Sequence, residues 1–169
     1  MAKLQILRFP DERLRTVAEP VQFFGDDVRE IVDNMFETMY TSTPRGIGLA
    51  ATQVDIHKQI VTIDVSRFKD EPMVLINPKI TKRRGMVEMY EGCLSFPKLG
   101  THVKRAMCVT VEALDSYGRA QTINATELLA ICIQHELDHL AGKLLIDYFP
   151  AGVRKRLEKQ YFRKAKKRS

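Results

Sequence analysis

Between Asp26 and Met39, the residues Val28, Ile31, Val32, Met35, Phe36 and Met39 recur at helical spacing. That spacing predicts an amphipathic helix with one core-facing stripe, begun at Gly25 or Asp26. Gln59–Val65 and Met73–Pro78 are apolar, β-branched runs that predict strands, the second ending at the Asn77-Pro78 turn. Thr81–Tyr90 is mixed, with a turn at Gly85, and Glu91–Pro97 is a constrained extended segment bracketed by Gly92 and Pro97. Arg105–Leu114 carries a further β-branched run, and Asp115-Ser116-Tyr117-Gly118 turns the chain into Ala120–Asn124. The longest signal spans Asn124–Leu145, where Leu128, Leu129, Ile131, Cys132, Ile133, Leu137 and Leu140 leave hardly any polar face and no Gly or Pro intervenes before Gly142. Such a segment is a buried core helix, here capped at Thr126 and stopped at Gly142. With no repeat and no linker, the pattern predicts one α+β domain over residues 1–169, with antiparallel or mixed sheets packed around that central helix.

Composition narrows the setting. The 169 residues are 44% apolar and 28% charged, enough for a globular core. No run approaches the ~18 apolar residues of a membrane span. Met1–Ile6 lacks the apolar stretch of a secretory signal, and three cysteines without a C-x-x-C point to a reducing, cytoplasmic setting. The net charge of +6 is uneven, because Val153–Ser169 holds nine Lys/Arg and one acid while the remainder sums to about −2. Basicity is therefore assigned to a tail, residues 152–169, where Val153, Leu157 and Tyr161 recur every four residues. The tail reads as a basic amphipathic helix, either solvated with one face packed or docked on the phosphates of the ribosome.

The central helix also carries the chemistry. It contains His135-Glu136-Leu137-Asp138-His139, an H-E-x-x-H arrangement. Residues four apart sit ~40° apart around a helix and about one turn apart along it, so both imidazoles reach one cation while Glu136 is placed to act as a base. Charged and imidazole groups on an apolar helix are costly unless paired or bound to a metal. Cys93, in its extended segment, is the third candidate ligand. Cys132 is ~10 Å along the axis from His139 and reads instead as a core or pocket residue. Cys108 reads as a small core hydrophobe, and His57 and His102 as isolated side chains. Three ligands leave a position for water, as catalytic zinc sites do. The metzincin extension fails at Leu145, and the only acid downstream for a thermolysin-like site is Glu158 in the tail. Gly46-Ile47-Gly48-Leu49-Ala50-Ala51-Thr52-Gln53 has little side-chain bulk, so a ligand or strand can approach its backbone. Gln53 is either a polariser of a carbonyl or a satisfied loop amide.

Three stretches together, Gly46–Gln53, Glu91-Gly92-Cys93-Leu94-Ser95 and Gln134–His139, resemble in content and order the signature motifs of bacterial peptide deformylases. The long basic tail resembles the form found in Gram-negative bacteria. The resemblance implies removal of formyl from the N-terminal methionine of nascent chains, by Glu-assisted attack of a metal-bound water, with release of formate. It implies Cys93, His135 and His139 as metal ligands, Glu136 as general base and then acid, and Gln53 with the Leu94 N–H at the oxyanion. It further implies Gly46 and Gly48 as backbone partners of the peptide, and Ile47, Leu128, Ile131 and Cys132 around the methionine side chain. One divalent ion is expected, Fe(II) in the cell, with Zn(II), Ni(II) or Co(II) as substitutes. Arg45, Glu127 and the absence of an arginine in Lys98–His102 depart from common forms of the motifs and bear on peptide preference. Two other classes remain open at this stage: a general zinc metallopeptidase, and an RNA- or ribosome-binding module with a structural metal.

Overall fold

The computed structural model describes residues 1–168, so Ser169 of the expected tail lies outside the described residues. The amphipathic stretch forms α1 (Asp26–Thr41), with Val28, Val32, Met35 and Met39 buried. Then come β1 (Gly48–Ala50), a 3-10 turn (Ala51–Val54), β2 (Ile60–Ile63), β3 (Met73–Arg84), β4 (Val87–Cys93) and β5 (Phe96–Arg105). The chain finishes with β6 (Cys108–Leu114), β7 (Ala120–Thr126), the central helix α2 (Glu127–Leu140), a further 3-10 turn (Leu145–Tyr148) and α3 (Ala151–Arg168). One sheet runs β1-β2-β3-β6-β7, and β4-β5 form a separate hairpin. Every strand pairing within them is antiparallel.

Two boundaries and one cap differ from the sequence expectation. β3 does not stop at Asn77-Pro78 but passes through it. Asn77 takes φ 51°, its amide bonds both the N–H and the C=O of Val21, and the register with β6 shifts between Ile76 and Lys79. A bulge thus absorbs the residues that locally signal a turn. The run from Arg105 to Leu114 belongs to two sheets: Arg105 closes β5 and Cys108 opens β6. Ala106 between them is held at both its N–H and its C=O by the Gln134 side chain. Cys108 is consequently half-buried rather than a core residue. Thr126 holds the N-cap position of α2, yet its side chain makes no capping hydrogen bond. Gly142 does end the helix: its φ is 76°, and a Cβ there would sit 2.5 Å from the Arg15 carbonyl oxygen.

The core has three parts. α2 packs Ala130 and Ile133 against Val61, Leu75 and Val111 of the sheet. α1 packs Met35 and Met39 against Leu49, Ile60 and Ile76. The third part, Phe9, Leu14, Phe96, Val103 and Leu144, is covered by Leu157 and Tyr161 of α3. Full burial of each large aliphatic side chain contributes roughly 1.5–3 kcal/mol, which holds α2 against the five-stranded sheet. Among the described residues no helix is long and apolar enough to cross a membrane.

Candidate active site

α2 presents His135 and His139 one turn apart, their rings 5.2 Å between centroids. The hairpin delivers Cys93 from the end of β4, with Sγ 3.3 Å from His139 Nε2. One donor atom from each of Cys93, His135 and His139 lies within 4.8 Å of the others, and this is the single such trio among the described residues. A soft thiolate and two imidazoles on a buried helix suit Zn(II), Fe(II), Co(II) or Ni(II). Cys132 lies outside the trio and faces the Ile47 carbonyl oxygen at 3.8 Å, and burial pushes its thiol pKa up. His57 meets Asp55 and His102 stacks edge-on to Tyr90, so neither joins the trio.

The imidazoles are oriented from behind. His135 Nδ1 lies 2.9 Å from Glu91 Oε1, which leaves Nε2 as its free donor toward the trio. Glu91 in turn receives two hydrogen bonds from the buried Arg105 guanidinium, each 2.9 Å. The remaining Arg105 nitrogen donates to Asp138 at 2.7 Å and meets the Tyr148 hydroxyl at 2.9 Å. Burial works against the Glu91 carboxylate, but the Arg105 and His135 hydrogen bonds outweigh it and hold the pKa below its usual value. Burial pushes His139 well below the usual imidazole range and so favours its neutral, ligating form. The sequence reading missed the Glu91–Arg105–Asp138–Tyr148 network. Glu91 stood inside a quoted motif, but its partners come from β5, α2 and the turn before α3, which no local pattern links.

Glu136 is 4% exposed, and its Oε2 has no hydrogen-bond partner among the described residues. Burial raises its pKa to about 7, the range of a residue that accepts and returns a proton. Gly48 makes room for it, since a Cβ there would lie 2.7 Å from Cys132 Sγ and 2.8 Å from Glu136 Oε1. A Cβ at Gly46 would meet Leu94 at 2.7 Å. Gln53, in the 3-10 turn Ala51–Val54, is also fixed. Its Oε1 accepts from the Ala50 N–H at 3.0 Å, while Nε2 donates to Ser95 Oγ at 3.1 Å and faces Cys93 Sγ at 3.6 Å. This side chain is therefore satisfied by hydrogen bonds and also lies beside the trio. β1 is an edge strand, so one side of Gly48–Ala50 is unpaired within the sheet. Ile131 and Cys132 are buried, Ile47 packs against the cluster that holds Cys132, and Leu128 is 42% exposed, at an outer position.

A Cys-His-His donor set beside a buried glutamate, on a helix flanked by an open strand edge, defines a metallohydrolase-type site. The comparisons make the class specific. A model of the polypeptide deformylase family matches residues 3–155, and the chain belongs to that family, whose enzymes remove the formyl group from N-terminal formyl-methionine. It is 55% identical over 166 residues to a peptide deformylase of Pseudoalteromonas translucida, covering 98% of both chains. It is 50% identical over 160 residues to one of Tolumonas auensis, covering 95% of both. A crystal structure of a Legionella pneumophila peptide deformylase superposes with TM-score 0.89 at 40% identity, over 98% of this chain and 96% of that one. The Ehrlichia chaffeensis enzyme in complex with actinonin gives TM-score 0.89 at 36% identity, over 97% and 98%.

Proposed function

We propose that the whole chain acts as one unit that hydrolyses N-formyl-methionyl nascent peptides in the cytoplasm, using one divalent ion held by Cys93, His135 and His139. The observation that carries the reading is the convergence of these three donors beside the buried, unpartnered Glu136 carboxylate. When bound, the ion supplies Lewis acidity, lowering the pKa of a water toward ~7 and polarising the formyl carbonyl. Glu136 takes the proton from the attacking water and delivers it to the leaving amine nitrogen. Gln53 Nε2 and the Leu94 N–H donate to the oxygen as negative charge grows on it. Fe(II) is the proposed cellular ion, with Zn(II), Ni(II) or Co(II) as substitutes; the donor set suits all four.

The peptide is proposed to lie along β1 as an added strand, bonded to backbone at Gly46 and Gly48. Its methionine side chain then enters among Ile47, Ile131 and Cys132, with Leu128 at the rim. The basic α3 is proposed as a ribosome contact. Its Leu157 and Tyr161 are occupied by the core, and exposed cations such as Lys164 and Lys167 are proposed to meet phosphate.

The deciding assay is formate release from a formyl-Met peptide by enzyme loaded anaerobically with each metal in turn. Turnover is expected with the parent chain, and a loss of roughly 10²–10⁴-fold with Glu136→Ala at unchanged metal content. Preferential cleavage of unformylated internal peptides would refute the assignment in favour of a general metallopeptidase.

A further inference from the structure

Residues 1–152 sum to a charge of about −2, yet their cations are not evenly spread over the body. A cleft of about 660 Å³ opens between the far end of β3, the end of β5 and the second half of α2, rimmed by Lys79, Arg83, Arg84, Lys104 and Lys143. Its one lining carboxylate, Asp138, is already engaged by Arg105 at 2.7 Å and by the Tyr148 hydroxyl at 2.6 Å. Among the described residues, no carboxylate pairs with Lys79, Arg83, Arg84 or Lys104. Even Glu112 and Glu88, which stand across the ladders from Lys79 and Lys104, form no ion pair with them. Cations gathered in excess of the nearby acids repel one another, and a polyanion laid among them lowers that cost.

We propose that this cleft binds the phosphodiester backbone of an RNA strand, as a contact separate from α3. Arg83 and Arg84 both line the cleft, and arginine grips phosphate oxygens in a fork. The recess is concave, which a flat bilayer surface does not enter. Base stacking is not on offer, because the Tyr148 ring is already faced by Arg105 at 4.8 Å and Lys143 at 4.2 Å. The site therefore reads phosphate rather than sequence.

The test uses the full metal-loaded chain and fluorescence anisotropy with a short labelled single-stranded RNA, across a salt series. Arg83→Glu/Arg84→Glu is expected to weaken RNA binding by roughly tenfold or more, and to make the slope of log K against log salt shallower by about 1.4, at ~0.7 per phosphate contact. Arg83→Gln/Arg84→Gln should fall between, and deleting Arg163–Ser169 should add its own loss to either. Formate release from a formyl-Met peptide should stay at the parent rate in every cleft variant, which separates this proposal from the hydrolysis reading. RNA affinity unchanged in Arg83→Glu/Arg84→Glu would overturn it. So would tighter cleft-dependent binding of a poly-glutamate peptide or of phosphatidylserine vesicles than of RNA.

Discussion

Gln53 illustrates what one side chain contributes here. Its carbonyl oxygen is tied to the Ala50 N–H, so the amide cannot flip without losing that bond, and its Nε2 is left directed at Ser95 and the Cys93 sulfur. A donor fixed before the reaction begins does not have to reorganise as charge develops. Gln53→Ala is therefore expected to lower kcat by roughly 10²–10³-fold with a smaller change in KM, measured as formate release under saturating and limiting substrate. An unchanged kcat would remove Gln53 from the oxyanion role. From the sequence, this residue was legible as a candidate and no more. An amide in a small-residue loop has two readings, and what bears on them is its placement beside Cys93 and Ser95, the latter in the turn between β4 and β5.

At the scale of elements, the site exists because a hairpin and a helix are held in register. Glu91 on β4 and Arg105 on β5 close the hairpin with a bidentate pair, and Arg105 also grips Asp138 on α2. Both ends of the Glu91–Arg105 pair are nearly solvent-free, so removing one partner leaves the other charged and buried. Arg105→Met is expected to cost about 3–5 kcal/mol at neutral pH, read by urea unfolding. The sign with pH follows from the direction of the Glu91 shift. Its folded pKa lies below the ordinary 4.5, so the unfolded chain takes up the proton first. The stability due to Glu91 is complete above that ordinary value and is lost as pH falls through the folded one. The gap between parent and Arg105→Met should therefore narrow below about pH 4.5, and a gap independent of pH would show that the pair is not the cause. Of these elements, α1, α2 and the inner strands were readable from periodicity. The β4-β5 hairpin was not, since Thr81–Tyr90 and Lys98–Lys104 are rich in exposed polar residues and lack a buried stripe.

At the scale of the molecule, the two chain ends meet on the third core cluster. Phe9 stacks on Phe96 at 4.7 Å between centroids, and Tyr161 of α3 packs edge-on to Phe9 at 5.3 Å and to Phe96 at 5.9 Å. The first half of α3 is thus anchored by Leu157 and Tyr161, and the residues beyond Phe162 project their charge without burying a side chain. Deleting Arg163–Ser169 is expected to spare turnover of short formyl-Met peptides while reducing co-sedimentation with ribosomes, most clearly at low salt. Equal co-sedimentation of the deleted and full chains would refute a ribosomal role for this segment. The sequence placed the basicity in the tail alone. The fold adds a second basic region by bringing β3, β5 and Lys143 together, which a charge count along the chain cannot register.

The sequence by itself determined what is short-range in origin. It set the helical stripe that buries α1, the apolar helix that must carry His135, Glu136 and His139 inward, the glycine that ends it, and the three motifs that mark the family. These follow from spacing of a few residues, where backbone geometry alone fixes which side chains share a face. The tertiary structure decided what depends on distant segments. It brought the Cys93 sulfur to His139, lent Glu91 and Arg105 to His135, passed β3 through its Asn-Pro step as a bulge, and gathered unpaired cations around one cleft. Those contacts are chosen by packing and by the pairing of buried charge, and neither is written in the neighbours of any one residue.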